Sequence, residues 1–263
     1  MISEREITLH GRRVAVLTGG AGRDLVFLHG AGGATADDPL LLRLAERYRV
    51  HAPLLPGFGA SEDAPELREM LDVTLHGFDV IDALGLARPL LVGHSMGGMI
   101  AAEMAAIAPR EVDDLALIAP AGLWLESHPI PDLFAALPHQ LPALLFHDVA
   151  LGERLLTGGL NLEDPQFLID FLVRNARQLG MAGKLLFPIP DRGLADRLYR
   201  IRARTLLIWG ESDRMIPPVY ADAFAAGLVG VAALHRALIP AAGHLIGAER
   251  PEAVMAALAS AGF

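Results

Sequence analysis

The chain has no cysteine, a single lysine (Lys184), few aromatic residues and no long unbroken apolar run. Without cysteine there can be no disulfide framework, no thiolate nucleophile and no Cys-ligated zinc or iron–sulfur centre. The 22 basic residues are outnumbered by 31 acidic ones, for a net charge of −9. That balance argues against nucleic-acid binding, which needs charge to neutralise phosphates. The most apolar stretch, Leu90 to Ala108, is interrupted by His94 and Glu103, whereas a membrane span needs about 20 apolar residues in a row. It reads as buried core. Met1 to Arg13 is charged and shows no apolar segment of a secretory signal. Ten histidines are present, but none has a His-Glu-x-x-His or similar ligand spacing, so neither metal nor cofactor is expected. The expectation is a soluble, cytoplasmic, globular protein whose partner is a small molecule.

At 263 residues with 52% hydrophobic content, the chain can bury a large core, and single α/β domains commonly reach about 250 residues. Glu6–His10 and Arg13–Thr18 read as a hairpin turning at Gly11. Leu25–Leu28, Tyr48–Pro53, Pro89–Val92, Asp114–Ile118, Thr205–Trp209 and Ala232–Ile239 read as strands. Helical spacing follows most of them, over Pro39–Tyr48, Glu66–Leu84, Met96–Ala108, Val219–Ala226 and Pro251–Leu258. Short continuous apolar strands alternating with helices predict an α/β fold with a mostly parallel sheet covered on both faces. The alternation fails between Gly122 and Tyr199. Prolines break that stretch into short pieces, and only Leu162–Leu179 keeps good helical periodicity. It reads as an inserted, largely helical subdomain, so the expected division is a core of residues 1–121 and 200–263 with a cap of 122–199.

The chemistry concentrates in Gly93-His94-Ser95-Met96-Gly97-Gly98, between an expected strand and an expected helix. A serine on that turn projects its hydroxyl from the end of the sheet, and the Met96 N–H at the helix start can face an anion there. Such a serine needs a base, and the base needs an orienting carboxylate. Asp213 follows one late strand and His244 the next, both in loops at the carboxyl ends of parallel strands, where open α/β sheets place their ligands. The order Ser95, Asp213, His244 is the one this kind of sheet uses. His29-Gly30-Ala31-Gly32-Gly33 follows the Leu25–Leu28 strand and can supply a second oxyanion donor, the Ala31 N–H; Thr35 stands where a dinucleotide fingerprint would need glycine. His29 reads as a structural hydrogen-bonding residue.

With those segments, Pro56-Gly57-Phe58-Gly59-Ala60-Ser61, and Trp209-Gly210-Glu211-Ser212-Asp213, the chain resembles the α/β-hydrolase superfamily over essentially its whole length. The resemblance implies an eight-stranded sheet with a helical cap inserted after the sixth strand, with Ser95 as nucleophile, His244 as base and Asp213 as its partner. A serine at the elbow argues against the family's haloalkane dehalogenases and epoxide hydrolases, which use aspartate. Among residues of the cap, Trp124, Phe134, Phe146, Phe167 and Phe171 are candidates for an apolar substrate pocket or for cap core. Arg174, Arg177 and Lys184 could grip a substrate carboxylate or simply be exposed helix positions. Glu62, Asp63, Glu66, Glu69 and Asp72 read as a solvated acidic face, and Asp113-Asp114 as solvated loop and cap positions.

The resulting expectation is a serine hydrolase acting on a small, fairly apolar carboxylic ester. Capped relatives that cleave carbon–carbon bonds in vinylogous diketones are the main alternative. Those commonly carry tryptophan where this chain has Leu245, and a Gly-Pro-Gly pattern where it has Gly30-Ala31-Gly32. A cofactor-free perhydrolase is a further alternative, since Ser95-Met96-Gly97-Gly98 is also found there. A ligand receptor on the same scaffold is the non-enzyme reading. Oligomeric state is not legible.

Overall fold

A computed structural model describes residues 1–157 and 164–263. The chain opens with β1 (Ile2–Leu9) and β2 (Arg12–Gly19), antiparallel and joined at His10-Gly11, both at positive φ. Then come β3 (Arg23–Leu28), α1 (Pro39–Leu44), β4 (Tyr48–Pro53), α2 (Met70–Ala83), β5 (Leu90–His94), α3 (Met96–Ile107) and β6 (Asp114–Ile118). Short helices α4 (Leu141–Leu145) and α5 (Val149–Thr157) and the long α6 (Pro165–Leu186) follow, before β7 (Arg204–Gly210), α7 (Val219–Gly227), β8 (Leu234–Ile239), α8 (Ile246–Glu249) and α9 (Pro251–Ser260).

The eight strands form one sheet in the order β1-β2-β4-β3-β5-β6-β7-β8. Only β1–β2 and β2–β4 are antiparallel. Every pair from β4 through β8 is parallel. The apolar runs of β5 and β6 make them central strands, β6 being buried along its whole length, as parallel strands between two helical layers should be. Helices cover both faces: α2 packs on α3, while α1, α8 and α9 form another group. This is the mostly parallel α/β sheet that the alternation of elements predicts, with the eight strands that the resemblance to the α/β-hydrolase superfamily implies.

Three helix boundaries differ from the periodicity by four residues or more, each for a local reason. Helix α1 stops at Leu44, short of Tyr48, because Tyr48 is already paired in β4 beside Arg23; Asp38 caps its start by accepting from Leu40 N–H at 2.8 Å. Helix α2 begins at Met70 rather than Glu66. The Asp72 carboxylate accepts from the Arg68 and Glu69 N–H groups at 2.8 and 3.2 Å and so sets the first turn. Helix α6 runs past Leu179 to Leu186, since Met181, Ala182 and Leu185 are buried on the core. Asp164 caps it through Gln166 N–H at 2.9 Å, and the expected start at Leu162 lies outside the described residues.

One charged group expected to be solvated, Asp114, is instead buried, whereas the acidic stretch is exposed at Glu62, Asp63, Glu66 and Glu69 as expected, with surface ion pairs. Asp114 is buried and accepts from Arg204 Nε at 2.8 Å and from Arg23, tying the starts of β3, β6 and β7. In the acidic stretch, Glu66 pairs with Arg12 at 2.7 Å, Glu62 accepts from the Arg13 N–H at 2.9 Å and Asp63 pairs with Arg177 at 2.9 Å. No described helix is long and apolar enough to cross a membrane.

Candidate active site

Four loops leave the carboxyl ends of β3, β5, β7 and β8 and meet at one edge of the sheet. Ser95 follows β5 directly and has φ 53 and ψ −117, a backbone conformation that costs a non-glycine residue on the order of 1–3 kcal/mol. The neighbouring sequence holds it there. Ser95 N–H donates to Ile118 O at 2.9 Å, and Ser95 O accepts from Met99 and Ala121 N–H at 3.0 Å. Gly93 and Gly97 are needed for contact: a Cβ on Gly97 would collide with the Leu28 carbonyl, and one on Gly93 with that of Gly97. The turn therefore presses β5 and α3 against the end of β3.

Asp213, Ser95 and His244 come together although they sit on three loops. The carboxylate of Asp213 can only accept, so His244 carries its proton on Nδ1 and donates it to Asp213 Oδ2 at 2.8 Å. The bare Nε2 then accepts from the Ser95 hydroxyl at 2.9 Å. Asp213 and His244 are 4% and 3% exposed, so water competes little for either bond. The second oxygen of Asp213 accepts from Met215 and Ile216 N–H at 2.9 and 2.7 Å. Trp209 Nε1 fixes the same loop by donating to Ile216 O at 2.8 Å.

The loop after β3 lies over this turn. A Cβ on Gly30 would stand 3.3 Å from Ser95 Cβ and 3.1 Å from His94 Nδ1. Gly33 N–H donates to Gly30 O at 3.0 Å and closes a turn around Ala31. Met96 opens α3, where first-turn N–H groups lack intrahelical acceptors. Both expected oxyanion donors thus belong to segments packed on Ser95.

His29 is a structural residue, as its sequence context suggests. Its Nε2 accepts from Leu55 N–H at 3.1 Å and its Nδ1–H donates to Gly30 O at 2.8 Å. Burial lowers its pKa to about 4, against a smaller opposing effect of the Gly30 carbonyl. His94 was not singled out by the motif, yet it donates from Nε2 to the backbone carbonyl of His244 at 3.0 Å. Its pKa falls to about 3, first through burial and then through the neighbouring His244 ring. Both side chains are neutral at ordinary pH.

The five candidate aromatics do not form a single ring cluster. Phe134 meets Phe187 edge-on at 5.9 Å, whereas Phe167 and Phe171 stack on each other at 6.5 Å along the N-terminal half of α6. Phe146 is buried against Gly152 of α5. Trp124 is half-buried and donates from Nε1 to Glu126 at 3.1 Å. Of the three cations considered for a substrate carboxylate, Arg177 is bound to Asp63 and to Ser61 O, and Lys184 donates to Leu67 O at 2.7 Å. Arg174 lies 5.8 Å over the Phe171 ring. Among the described residues no group of three or more His, Asp and Glu side chains is placed to hold a metal ion.

Known proteins share this architecture. The chain is 34% identical over 229 residues to 2-hydroxymuconate semialdehyde hydrolase of Pseudomonas sp. strain CF600, covering 81% of this chain and 78% of that one. In fold it is similar to the 2-hydroxy-6-oxo-6-phenylhexa-2,4-dienoate hydrolase of Rhodococcus sp. strain RHA1, with a TM-score of 0.76 at 21% identity over 100% and 99% of the two chains. It is similar also to naproxen esterase of Bacillus subtilis, with a TM-score of 0.73 at 21% identity over 99% and 91%. The model of the alpha/beta hydrolase family matches residues 25–257, and this chain belongs to that family.

Proposed function

We propose that the chain is a serine hydrolase that cleaves a small, fairly apolar carboxylic ester through an acyl-enzyme on Ser95. The observation that carries this reading is the unbroken hydrogen-bond chain from Asp213 through His244 to Ser95. His244 Nε2 takes the hydroxyl proton as Ser95 Oγ attacks the ester carbonyl, and Asp213 steadies the imidazolium that forms. The negative charge on the carbonyl oxygen is met by the Ala31 and Met96 N–H groups; one such donor is typically worth about 100- to 1,000-fold in rate. His244 then passes its proton to the departing alkoxide. A water molecule, deprotonated by the same nitrogen, attacks the acyl carbon and releases the acid and Ser95.

The helical segment between β6 and β7 serves in this reading as the cap over the site. Trp124 and Phe134, partly buried against the core, are its pocket-lining aromatics.

Hydrolysis of a carbon–carbon bond is the second reading, favoured by the 34% identity to 2-hydroxymuconate semialdehyde hydrolase. Such a substrate is anionic and calls for a cation to receive its carboxylate. Arg177 and Lys184 are already committed to Asp63 and the Leu67 carbonyl, and the third candidate, Arg174, is exposed and lies over the Phe171 ring, an arrangement that favours the apolar ester.

The test compares wild type with Ser95→Ala for labelling by a fluorophosphonate probe. Turnover is measured on short- and medium-chain p-nitrophenyl esters and on a 2-hydroxy-6-oxo-dienoate. Labelling lost in the variant, with esters the better substrates, is the expected result. Faster turnover of the dienoate would move the assignment to carbon–carbon hydrolysis. A folded wild type that neither labels nor turns over either class would leave a binding role on a hydrolase scaffold.

A further inference from the structure

The base loop carries a second carboxylate that the reaction does not use. Glu249 closes α8, five residues after His244, and is 7% exposed. Its Oε2 accepts from Gly243 N–H at 2.6 Å and from His147 N–H at 3.2 Å, and its Oε1 accepts from Asp148 N–H at 2.9 Å. One side chain therefore binds the residue before His244 to a segment about 100 positions earlier, Leu145–Asp148 between α4 and α5.

Other contacts converge on that segment. Leu245 N–H donates to Leu145 O at 3.0 Å. Arg214, next to Asp213, donates from Nη1 to Ala143 O and Phe146 O at 2.8 and 2.9 Å. His147 Nδ1 and Ser212 Oγ are 2.8 Å apart, and Ser212 N–H donates to Ala242 O at 2.9 Å. The fit is tight as well as polar: a Cβ on Gly243 would stand 2.7 Å from His147 N, Leu145 O and Phe146 C. The loops of Asp213 and His244 are thus stitched together through backbone of the helical segment, and Glu249 supplies three of the bonds.

We infer that Glu249 is a positioning residue, which holds the Leu145–Asp148 backbone against Gly243 and so keeps the His244 ring aligned between Asp213 and Ser95. The inference rests on the serine-hydrolase reading for its kinetic consequence but not for its structural one. Unpaired, the three N–H groups would be left in a site with little water, and the loop would shift to satisfy them. A displacement of about 1 Å in a catalytic group can cost about 100-fold in rate.

The test uses Glu249→Gln, which preserves shape but turns an amide N–H₂ toward a backbone donor. Glu103→Gln is the control, removing another buried carboxylate that binds the helical segment through Arg197, away from the base loop. Two readouts are taken on folded protein: the rate of fluorophosphonate labelling of Ser95, and the downfield proton resonance of the His244 Nδ1–H bond to Asp213. Glu249→Gln should label about 10- to 100-fold more slowly and lose or shift the resonance, while Glu103→Gln keeps both. Ser212→Ala, cutting the half-exposed His147 contact to the same segment, should slow labelling severalfold and carries the test if Glu249→Gln does not fold. Rates in the Glu249 and Ser212 variants within twofold of wild type, or an equal loss in Glu103→Gln, would overturn the inference. Should wild type fail to label, the serine-hydrolase reading falls, and the resonance still decides the role of Glu249: kept in Glu249→Gln it refutes that role, lost only there it supports it.

Discussion

His94 Nε2 lies 3.0 Å from the backbone carbonyl of His244, so the residue before Ser95 is bonded to the residue proposed as its base. The bond spans 150 positions of sequence and crosses from the end of β5 to the loop after β8. It makes the alignment of Ser95 and His244 depend on backbone as well as on their own side chains. Because burial lowers the His94 pKa to about 3, the donor carries no charge that would compete with the imidazolium that the proposed mechanism forms on His244.

His94→Ala should therefore lower kcat more than it raises KM, and destabilise the protein by about 1–3 kcal/mol through the unpaired His244 carbonyl. Steady-state kinetics with urea unfolding of the same preparation measure both. Unchanged kcat would show that this bond does not align the base.

Ser95 sits at φ 53, where glycine is unstrained. Ser95→Gly should be more stable than Ser95→Ala by roughly 1 kcal/mol, and both should be inactive. Equal urea midpoints would mean that the elbow stores no strain at this residue.

The buried neutral His29 makes stability depend on pH. Its pKa is about 4 when folded and about 6.5 when the chain is unfolded. Between those values the unfolded chain binds the extra proton, so stability rises with pH there. The contribution is whole above about pH 6.5 and is lost as pH falls toward 4, amounting to roughly 3 kcal/mol at most. His29→Asn should flatten the urea-midpoint profile over that window, and parallel profiles would refute the assignment.

Glu103 is 1% exposed within α3 and is held by Arg197, whose Nε donates to it at 2.8 Å. Arg197→Ala leaves that carboxylate buried and unpaired, at a cost of about 3–5 kcal/mol. Adding Glu103→Gln to the same chain should recover part of the loss. A double variant no more stable than Arg197→Ala would show that the charge is already relieved in another way.

Much of this molecule is local in origin and so is legible from the chain alone. Tyr48–Pro53 and Asp114–Ile118 form strands over the very residues whose apolar runs suggest them, because a buried parallel strand needs little beyond β-forming side chains and flanking turns. The Gly-x-Ser-x-Gly turn specifies its own geometry through the two glycines that let three chain segments touch. Asp213 and His244 could be placed because strand ends face one edge of a parallel sheet.

What only the tertiary structure decided are the partners that each group meets across the chain. Nothing near Glu249 in sequence indicates that it will accept from His147 and Asp148, about 100 residues away. The solvated reading of Asp114 failed because Arg23 and Arg204 arrive beside it through the strand order β3-β5-β6-β7. The aromatics between β6 and β7 fall into separate ring contacts, Phe134 with Phe187 and Phe167 with Phe171, because composition does not encode which segments meet. Periodicity determines which face of an element is apolar; the sheet register and the packing of helices on it decide which polar groups are left facing one another, and the alignment of Ser95, Asp213 and His244 depends on that second level.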